Sequence, residues 1–245
     1  LMGSRDQIES GMCIRAYGVA HNLEPHNPDI IKYVTERISG ENYAFATRYV
    51  DGGYEIVGLG KNNRSGAITI PEKINNVKVV SIDRLSNNIS YDPETGAGDN
   101  LPNVTSVTIP STVQKISDYA FWGMKNLKTV NIPSNGSLLE IGENAFGYCS
   151  SLTSITIPKK VGKIGAGAFI NCSGLKTFTF NSDDNVTIGK FALYGTGITK
   201  AEFGEKVKDI NPEIFFGCES LNEIAVAAGN ARYSSENGVL YDKNK

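Results

Sequence analysis

The chain has 245 residues, of which 40% are hydrophobic and 20% charged, a balance typical of a globular protein. Its formal net charge of −2 excludes the strongly basic surface that nucleic-acid binding requires. No apolar run approaches the roughly 20 residues of a membrane span, so no membrane insertion is predicted. Residues 1–10 are polar, and no signal peptide is predicted within them.

Residues 1–47 predict a helical N-terminal region. Asn27-Pro28-Asp29 is typical of a helix start, and Gly40 is typical of a helix stop. The residues between them that fall on one helix face are apolar: Ile30, Ile31, Val34 and Ile38. The residues leave two readings open, a cap on the following domain or the end of a preceding one.

A β-hairpin is predicted next, at about 43–59. The sequence YAFATRYVDGGYEIVGL contains two strand-like segments joined by the turn residues Asp51-Gly52-Gly53. Repeats follow at about 67–245, interrupted at 86–103 by an inserted loop rich in Asn, Asp, Gly and Pro. We therefore predict one repeat domain over 48–245.

An internal repeat dominates this domain. Each unit begins with an apolar residue, at Val104, Leu127, Leu152, Leu175, Ile198 and Leu221. Successive units are offset by 23, 25, 23, 23 and 23 residues. A period this regular indicates a solenoid, in which each unit forms one coil that stacks on its neighbours.

Each unit predicts a short β-strand and a return. One unit reads LTSITIPKKVGKIGAGAFINCSG. Its first residues alternate between apolar and polar, and Pro158 ends the strand because proline lacks the N–H that a strand ladder needs. The apolar pair Val161 and Ile164 follows a turn, and Gly165 predicts a bend. The segment around Phe169 predicts a helical turn or a short helix behind the strand.

The pattern L-x-x-I-x-I-P, followed by V-x-x-I-G-x-x-A-F-x-x-C-x-x-L, resembles the BspA-like leucine-rich-repeat family of bacterial surface proteins. In one unit the matching residues are Leu152, Ile155, Ile157, Pro158, Val161, Ile164, Gly165, Ala168, Phe169 and Cys172. The resemblance covers about residues 48–245. It implies an α/β repeat solenoid, a curved array with a parallel β-sheet on one face and short helical or irregular returns. It also implies an extracellular or cell-surface location and a role in adhesion, for example to a host or matrix component.

No residue pattern supports catalysis. Histidine occurs only at His21 and His26, outside the repeats, so a Ser-His-Asp or Cys-His arrangement on the solenoid has no base. With Glu24 these histidines form a conceivable metal group, but their spacing fits no standard ligand pattern. We therefore predict neither a catalytic residue nor a bound metal or cofactor.

The inserted loop offers a second conceivable metal group. Its carboxylates Asp92, Glu94 and Asp99 are of the type that ligates calcium. Their spacing matches no EF-hand, so a solvated loop is the main expectation.

The cysteines of the repeats occupy one and the same position, as Cys149, Cys172 and Cys218, and Met124 fills this position in the first clear unit. A position that accepts either cysteine or methionine is typical of a buried apolar site. We therefore predict structural thiols rather than nucleophiles.

The outward side of the strands is the predicted binding surface. Thr and Ser also suit exposed strand positions without any function, so the pattern has a purely structural reading as well. The residues predicted to bind are Thr129, Asn131, Ser154, Thr156, Thr177, Thr179, Lys200 and Glu202. The leading hypothesis is a non-enzymatic adhesion module that recognises a protein or glycan; the alternative is a structural spacer or targeting region in a larger protein, such as an enzyme.

Overall fold

The computed structural model describes residues 45–59, 65–85, 103–180, 182 and 186–243. The predicted helical region 1–47 lies outside these residues, except at its end, where residues 45–47 belong to a strand rather than a helix. The inserted loop also lies outside them, apart from Asn103, which begins a strand. The division into two domains stays a prediction.

The described residues form short β-strands and one 3-10 helix. The strands are β1 Phe45–Val50, β2 Gly53–Leu59, β3 Ser65–Thr69, β4 Lys73–Ile74, β5 Val77–Ile82, β6 Asn103–Thr108, β7 Lys115–Ile116, β8 Thr129–Asn131, β9 Glu140–Ile141, β10 Ser154–Thr156, β11 Lys163–Ile164, β12 Thr177–Phe180, β13 Val186–Ile188, β14 Lys200–Phe203, β15 Val207–Ile210, β16 Glu223–Val226, β17 Tyr233–Glu236 and β18 Val239–Asp242. The helix is Pro212–Phe215. β1 and β2 form an antiparallel hairpin within the segment where the sequence predicts one.

From β3 to β15, each coil contributes one strand to each of two sides of the solenoid, and on the predicted side these strands form two separate parallel sheets. The predicted strands pair in the orders β3-β6-β8 and β10-β12-β14-β16, and their outward side is called the strand face below. The strands end two residues before Pro110, Pro133 and Pro158, as predicted. The fold is therefore a parallel β-solenoid.

The sheet on the other side of the coils, called the second sheet below, was not predicted. It runs in the order β1-β2-β5-β7-β9-β11-β13-β15, and its strand β11 contains Ile164 of the apolar pair that was predicted to follow a turn, with no strand assigned to it. β7, β9 and β11 have only two residues each, which is too short for an alternating pattern to be recognised.

The returns are irregular, and the prediction of helical returns is wrong apart from the single 3-10 turn. In each of these irregular returns two residues four positions apart adopt left-handed backbone angles, for example Tyr119 at φ 60° and Gly123 at φ 73°. Their N–H groups therefore point to the next coil rather than along the chain. Tyr119 N donates to Glu143 O at 2.9 Å and Gly123 N donates to Gly147 O at 2.8 Å. Hydrogen bonds between coils replace those that a helix would form within itself.

Gly165 is required for a different reason from the predicted bend. A Cβ at this position would lie 2.5 Å from the backbone N of Glu143 and 2.5 Å from the backbone C of Gly142. The equivalent glycines of the neighbouring coils, Gly142 and Gly189, meet the preceding coil equally closely. Glycine at this column lets successive backbones touch.

Phenylalanines stack through the centre of the coils. Phe121 and Phe146 have ring centroids 4.9 Å apart with 2° between their planes, and Phe146 and Phe169 are 5.4 Å apart with 1° between theirs. All three are fully buried. Leu193 takes the place of Phe in the next coil and is also fully buried. This column joins the coils into one continuous core.

The N-terminal hairpin carries a buried ion pair. The Arg48 guanidinium pairs with the Glu55 carboxylate, which also accepts a hydrogen bond from Ser81 Oγ at 3.1 Å. Asp83 Oδ2 lies 3.4 Å from Arg48. Burial, and then the nearby charge of Glu55, raise the pKa of Asp83.

In the described part of the chain, no helix is long and apolar enough to cross a membrane.

Candidate functional site

The structure brings all eight predicted binding residues together on the strand face. They lie on β8, β10, β12 and β14, with their side chains at the surface. Side chains alternate along each strand, so Val130, Ile155 and Phe178 point into the core. The residues before and after each of them point outward. One strand pattern thus determines both the core and this polar surface.

The outward residues form two columns across the coils. Ser154 pairs with Thr177, which pairs with Lys200, and Thr156 pairs with Thr179, which pairs with Glu202. Thr129 and Asn131 continue the columns, next to Ser106 and Thr108. The eight predicted residues include no aromatic ring, so binding at this face would rest on hydroxyl, amide and charged groups.

The character of the strand face changes along the array. Its first coils present hydroxyls and an amide. Its last coils present an ion triad, in which Lys200 Nζ lies 2.9 Å from Glu202 Oε1 and 2.8 Å from Glu223 Oε1. Hydrogen bonds from Lys200 and Thr179 lower the pKa of Glu202, and hydrogen bonds to Glu223 and Glu202 raise the pKa of Lys200. Lys200 and Glu202 therefore stay charged at neutral pH.

A break in the sheet opens a depression in the neutral part. β8 and β10 belong to separate sheets, and the break coincides with the single offset of 25 residues between Leu127 and Leu152. The depression has a volume of about 340 Å³. Its lining residues are Thr108, Ile109, Val130, Asn131, Ile132, Pro133 and Thr156. The lining thus combines the polar side chains Thr108, Asn131 and Thr156 with aliphatic ones.

A second depression lies in the charged part, with a volume of about 300 Å³. Its lining includes Thr179 and Glu202 among apolar groups of β12, β14 and β16. Four of the predicted residues therefore line depressions: Asn131 and Thr156 the first, Thr179 and Glu202 the second.

The cysteines of the repeats donate hydrogen bonds to the preceding coil, and two of the three are fully buried. Cys149 Sγ donates to Phe121 O at 3.1 Å, and Cys172 Sγ donates to Phe146 O at 3.0 Å. Burial raises the pKa of the Cys172 thiol to about 12 and that of the Cys149 thiol well above its usual range. Cys218, which is half-buried, also has a raised pKa. The position was predicted as apolar, but it also ties each coil to the preceding one by a hydrogen bond.

The conceivable metal groups stay untested. His21, Glu24 and His26 lie outside the described residues, as do the loop carboxylates at 92, 94 and 99. Among the residues that are described, no group of three or more His, Cys, Asp or Glu side chains is arranged to hold a metal ion.

An aromatic surface on the returns is a feature that the sequence analysis recognised only in part. It is called the aromatic edge below and consists of Tyr119, Trp122, Tyr148, Phe191, Tyr194 and Phe216. The centroids of Trp122 and Tyr148 are 4.7 Å apart. Those of Tyr194 and Phe216 are 5.8 Å apart with 14° between the ring planes. The sequence places Trp122 and Tyr148 on the returning side of the coils as possible aromatic anchors; a comparison of the return positions of every unit would have found the others.

Three of these aromatic residues occupy left-handed positions: Tyr119, Tyr148 and Phe191 have φ between 58° and 60°. Equivalent positions of other coils carry Gly167 and Asn171, residue types that tolerate this conformation. A left-handed backbone costs a bulky residue about 1–2 kcal/mol, and these rings are only half-buried. The structure thus carries aromatic side chains where small residues would fit the backbone better.

These features define a solenoid of the leucine-rich-repeat type that presents extended surfaces to solvent. The model of the BspA-type leucine-rich repeat region matches residues 97–226 in six copies, which is more than half of the chain. The chain therefore belongs to the BspA-type leucine-rich-repeat family.

Several solved structures share the fold. The pneumococcal vaccine antigen PcpA is 26% identical with a TM-score of 0.64, over 81% of this chain and 52% of PcpA. A leucine-rich cell surface protein from Faecalibacterium prausnitzii is 27% identical with a TM-score of 0.55, over 83% of this chain and 57% of that one.

A leucine-rich repeat protein of T. pallidum is 24% identical with a TM-score of 0.58, over 76% of this chain and 79% of that one, which supports the fold alone. The chain thus spans little more than half the length of two of these three proteins. A comparison with curated proteins gives no match.

Proposed function

We propose that this chain is a non-enzymatic recognition module of a bacterial surface protein, and that its strand face binds a protein or glycan partner. One observation carries the proposal: the eight predicted residues lie in two polar columns on one face of the coils, and four of them line two depressions there. Repeat solenoids commonly bind partners along such extended surfaces. Adhesion is the role we propose for that binding.

The relatives support the location. One is described as a cell surface protein and another as a vaccine antigen, both consistent with a protein that faces the outside of a bacterium. We extend this location to the present chain as part of the proposal. The family and the solenoid fold are compatible with a protein-interaction module, while the partner has to be found by experiment.

The buried surroundings of two cysteine thiols make them poor nucleophiles, which favours binding over catalysis. The thiols of Cys149 and Cys172 are fully buried and their pKa values are raised by burial, so they stay protonated at neutral pH. The polar groups that remain accessible on the strand face are hydroxyls, amides and a paired ion triad.

A matched pair of substitutions tests the proposal. Thr156 on β10 and Thr187 on β13 are both exposed threonines in the middle of the array, one on the strand face and one on the second sheet. Thr156→Arg places a bulky cation in the first depression, while Thr187→Arg makes the same change on the other sheet. The wild type and both variants are screened against arrays of host matrix proteins and of glycans, and Kd is measured for every ligand that binds.

We expect Thr156→Arg to weaken binding at least about tenfold and Thr187→Arg to change it less than about twofold, since a residue at the centre of an interface contributes most of the affinity. Equal binding by both variants would reject the strand face as the site. Failure of the wild type to bind any array member would favour the spacer function instead.

A further inference from the structure

We propose that the second depression, together with the ion triad beside it, is a subsite for one basic side chain of a protein partner. The subsite belongs to the strand face, so the proposal rests on the proposed function. The partner is then a protein, and one of its cationic groups binds the carboxylate of Glu202.

The lining of the second depression combines an apolar surface with a single charge. Among the described residues that line it, Glu202 is the only charged one, and the volume of about 300 Å³ is at the lower end of the range for ligand sites. The apolar members of the lining are Phe180, Phe203, Ala225, Val226 and Ala227. A lysine or arginine side chain has the same two parts, because its alkyl stem packs on apolar surface while its charged end stays hydrated.

The Glu202 carboxylate can accept further hydrogen bonds from such a group. Its Oε1 atom lies 2.9 Å from Lys200 Nζ, and Lys200 is not one of the lining residues. Its Oε2 atom accepts a hydrogen bond from Thr179 Oγ1 at 3.0 Å, and Thr179 does line the depression. Because a carboxylate oxygen can accept two hydrogen bonds, a cation in the depression can bind Glu202 without displacing Lys200. The residue paired with Glu202 on β16 is Ala225, whose methyl side chain leaves room beside the carboxylate.

The distribution of charge along the array directs a cation to this depression rather than to the first one. Residues 103–180 contain seven lysines, no arginine and three carboxylates, whereas residues 200–243 contain five basic residues and eight carboxylates. The first depression lies wholly within the former range, and most of the second lies within the latter. Within the triad, Lys200 is shared between the carboxylates of Glu202 and Glu223. A basic group of a partner is therefore complementary to the second depression.

The same charges favour a protein over a glycan at this end of the strand face. Carboxylate and sulfate, the common charged groups of polysaccharides, are anionic, so the carboxylates of Glu202 and Glu223 repel them. A neutral glycan gains nothing from the shared Lys200. An arginine of a protein can bind a carboxylate through two N–H groups, and arginine is enriched among the residues that dominate protein interfaces.

Peptide selection followed by a double-mutant cycle tests the proposal. A phage library of random peptides is selected against the full chain. Each selected peptide is then synthesised in a charged form and in a neutral form, in which citrulline replaces arginine and norleucine replaces lysine. Kd is measured for both forms with the wild type, with Glu202→Gln and with Glu213→Gln, and spermine is titrated in parallel.

Glu213 is the matched control. Its side chain is 45% exposed and pairs with Lys190 at 2.9 Å, while that of Glu202 is 42% exposed and pairs with Lys200 at 2.9 Å. Glu213 lies on the 3-10 helix of a return, away from the strand face. Glu213→Gln therefore removes the same charge from the protein without changing the subsite.

We expect the selected peptides to contain basic residues, and the charged form to bind the wild type about tenfold or more tightly than the neutral form. Glu202→Gln should reduce this ratio to less than about threefold, while Glu213→Gln should change it by less than about twofold. Since the ratio compares two peptides on the same variant, a general loss of stability in that variant affects both measurements alike.

The proposal is wrong if the selected peptides lack basic residues, if Glu202→Gln leaves the ratio unchanged, or if Glu213→Gln lowers it as much as Glu202→Gln does. Binding of spermine without binding of any peptide would also overturn it. Ligands whose binding is weakened by Thr156→Arg but is independent of Glu202 would reject the subsite and leave the proposed function standing. Failure of every peptide and every array member to bind would reject both.

Discussion

The phenylalanine column allows a quantitative test of how the coils hold together. Phe169 is fully buried, stacks on Phe146 at 5.4 Å, and meets Phe178 edge-on at 6.0 Å. Phe169→Ala removes a ring from a packed core and should lower the free energy of unfolding by about 3–5 kcal/mol. Phe169→Leu should cost less than about 1.5 kcal/mol, because Leu193 already fills this position in the next coil.

Urea unfolding measures both effects, followed by far-UV circular dichroism and by the fluorescence of Trp122. With a slope of about 2 kcal/mol per molar urea, Phe169→Ala should lower the midpoint by roughly 1.5–2.5 M. Trp122 lies two coils from Phe169, so a continuous core requires the two signals to shift together. If Phe169→Ala left the midpoint unchanged, or if Trp122 reported none of the shift, the coils would not share one core.

Three further predictions concern strain, thiols and pH. Phe191→Asn should change the free energy of unfolding by less than about 1 kcal/mol, because relief of the left-handed backbone offsets the lost ring contacts; a large loss in thermal unfolding would show that the ring is needed for stability. In a Cys13→Ser background, Cys218 should react first with a thiol reagent at neutral pH and the two buried thiols only after unfolding; rapid labelling of Cys172 in the native protein would contradict its raised pKa. Since the pKa of Asp83 is raised in the folded state, its contribution to stability is complete below the unfolded pKa and is lost as pH rises through the folded pKa. Asp83→Asn should therefore stabilise the protein more at neutral pH than at acid pH. Denaturation of both proteins across this pH range measures the effect, and a stabilisation by Asp83→Asn that is larger in acid would contradict the sign.

The sequence predicts the strand face well because period and alternation act together. The repeat aligns Thr156 with Thr179 and Glu202, and strand alternation turns all three outward, so two local rules determine a surface shared by several coils. The second sheet escapes the same rules because strands such as β11 have two residues. The helical turn expected around Phe169 does not form, because Gly167 and Asn171 adopt left-handed backbone angles. Hydrogen bonds to the next coil determine these angles, and the sequence of a single unit does not reveal such contacts.

The aromatic edge shows a further limit of reading one unit at a time. Phe191 and Phe216 belong to different units and to different positions within them, and their contact depends on the stacking of the coils. Composition and period alone do not bring such residues together. Aromatic residues with left-handed backbone angles can be recognised only in the structure. Bulky side chains are unfavourable in this backbone conformation.

Carboxyl footprinting tests the central claim, recognition by the strand face, most directly. The complex with the tightest array ligand is labelled with a carbodiimide, and each carboxylate is compared with the free protein. Glu202 and Glu223 lie on the strand face with 42% and 52% of their side chains exposed, while Asp209 lies on the second sheet with 62% exposed. The account predicts that the ligand protects Glu202 and Glu223 and leaves Asp209 labelled as before; protection of Asp209 with full labelling of the two glutamates would contradict it.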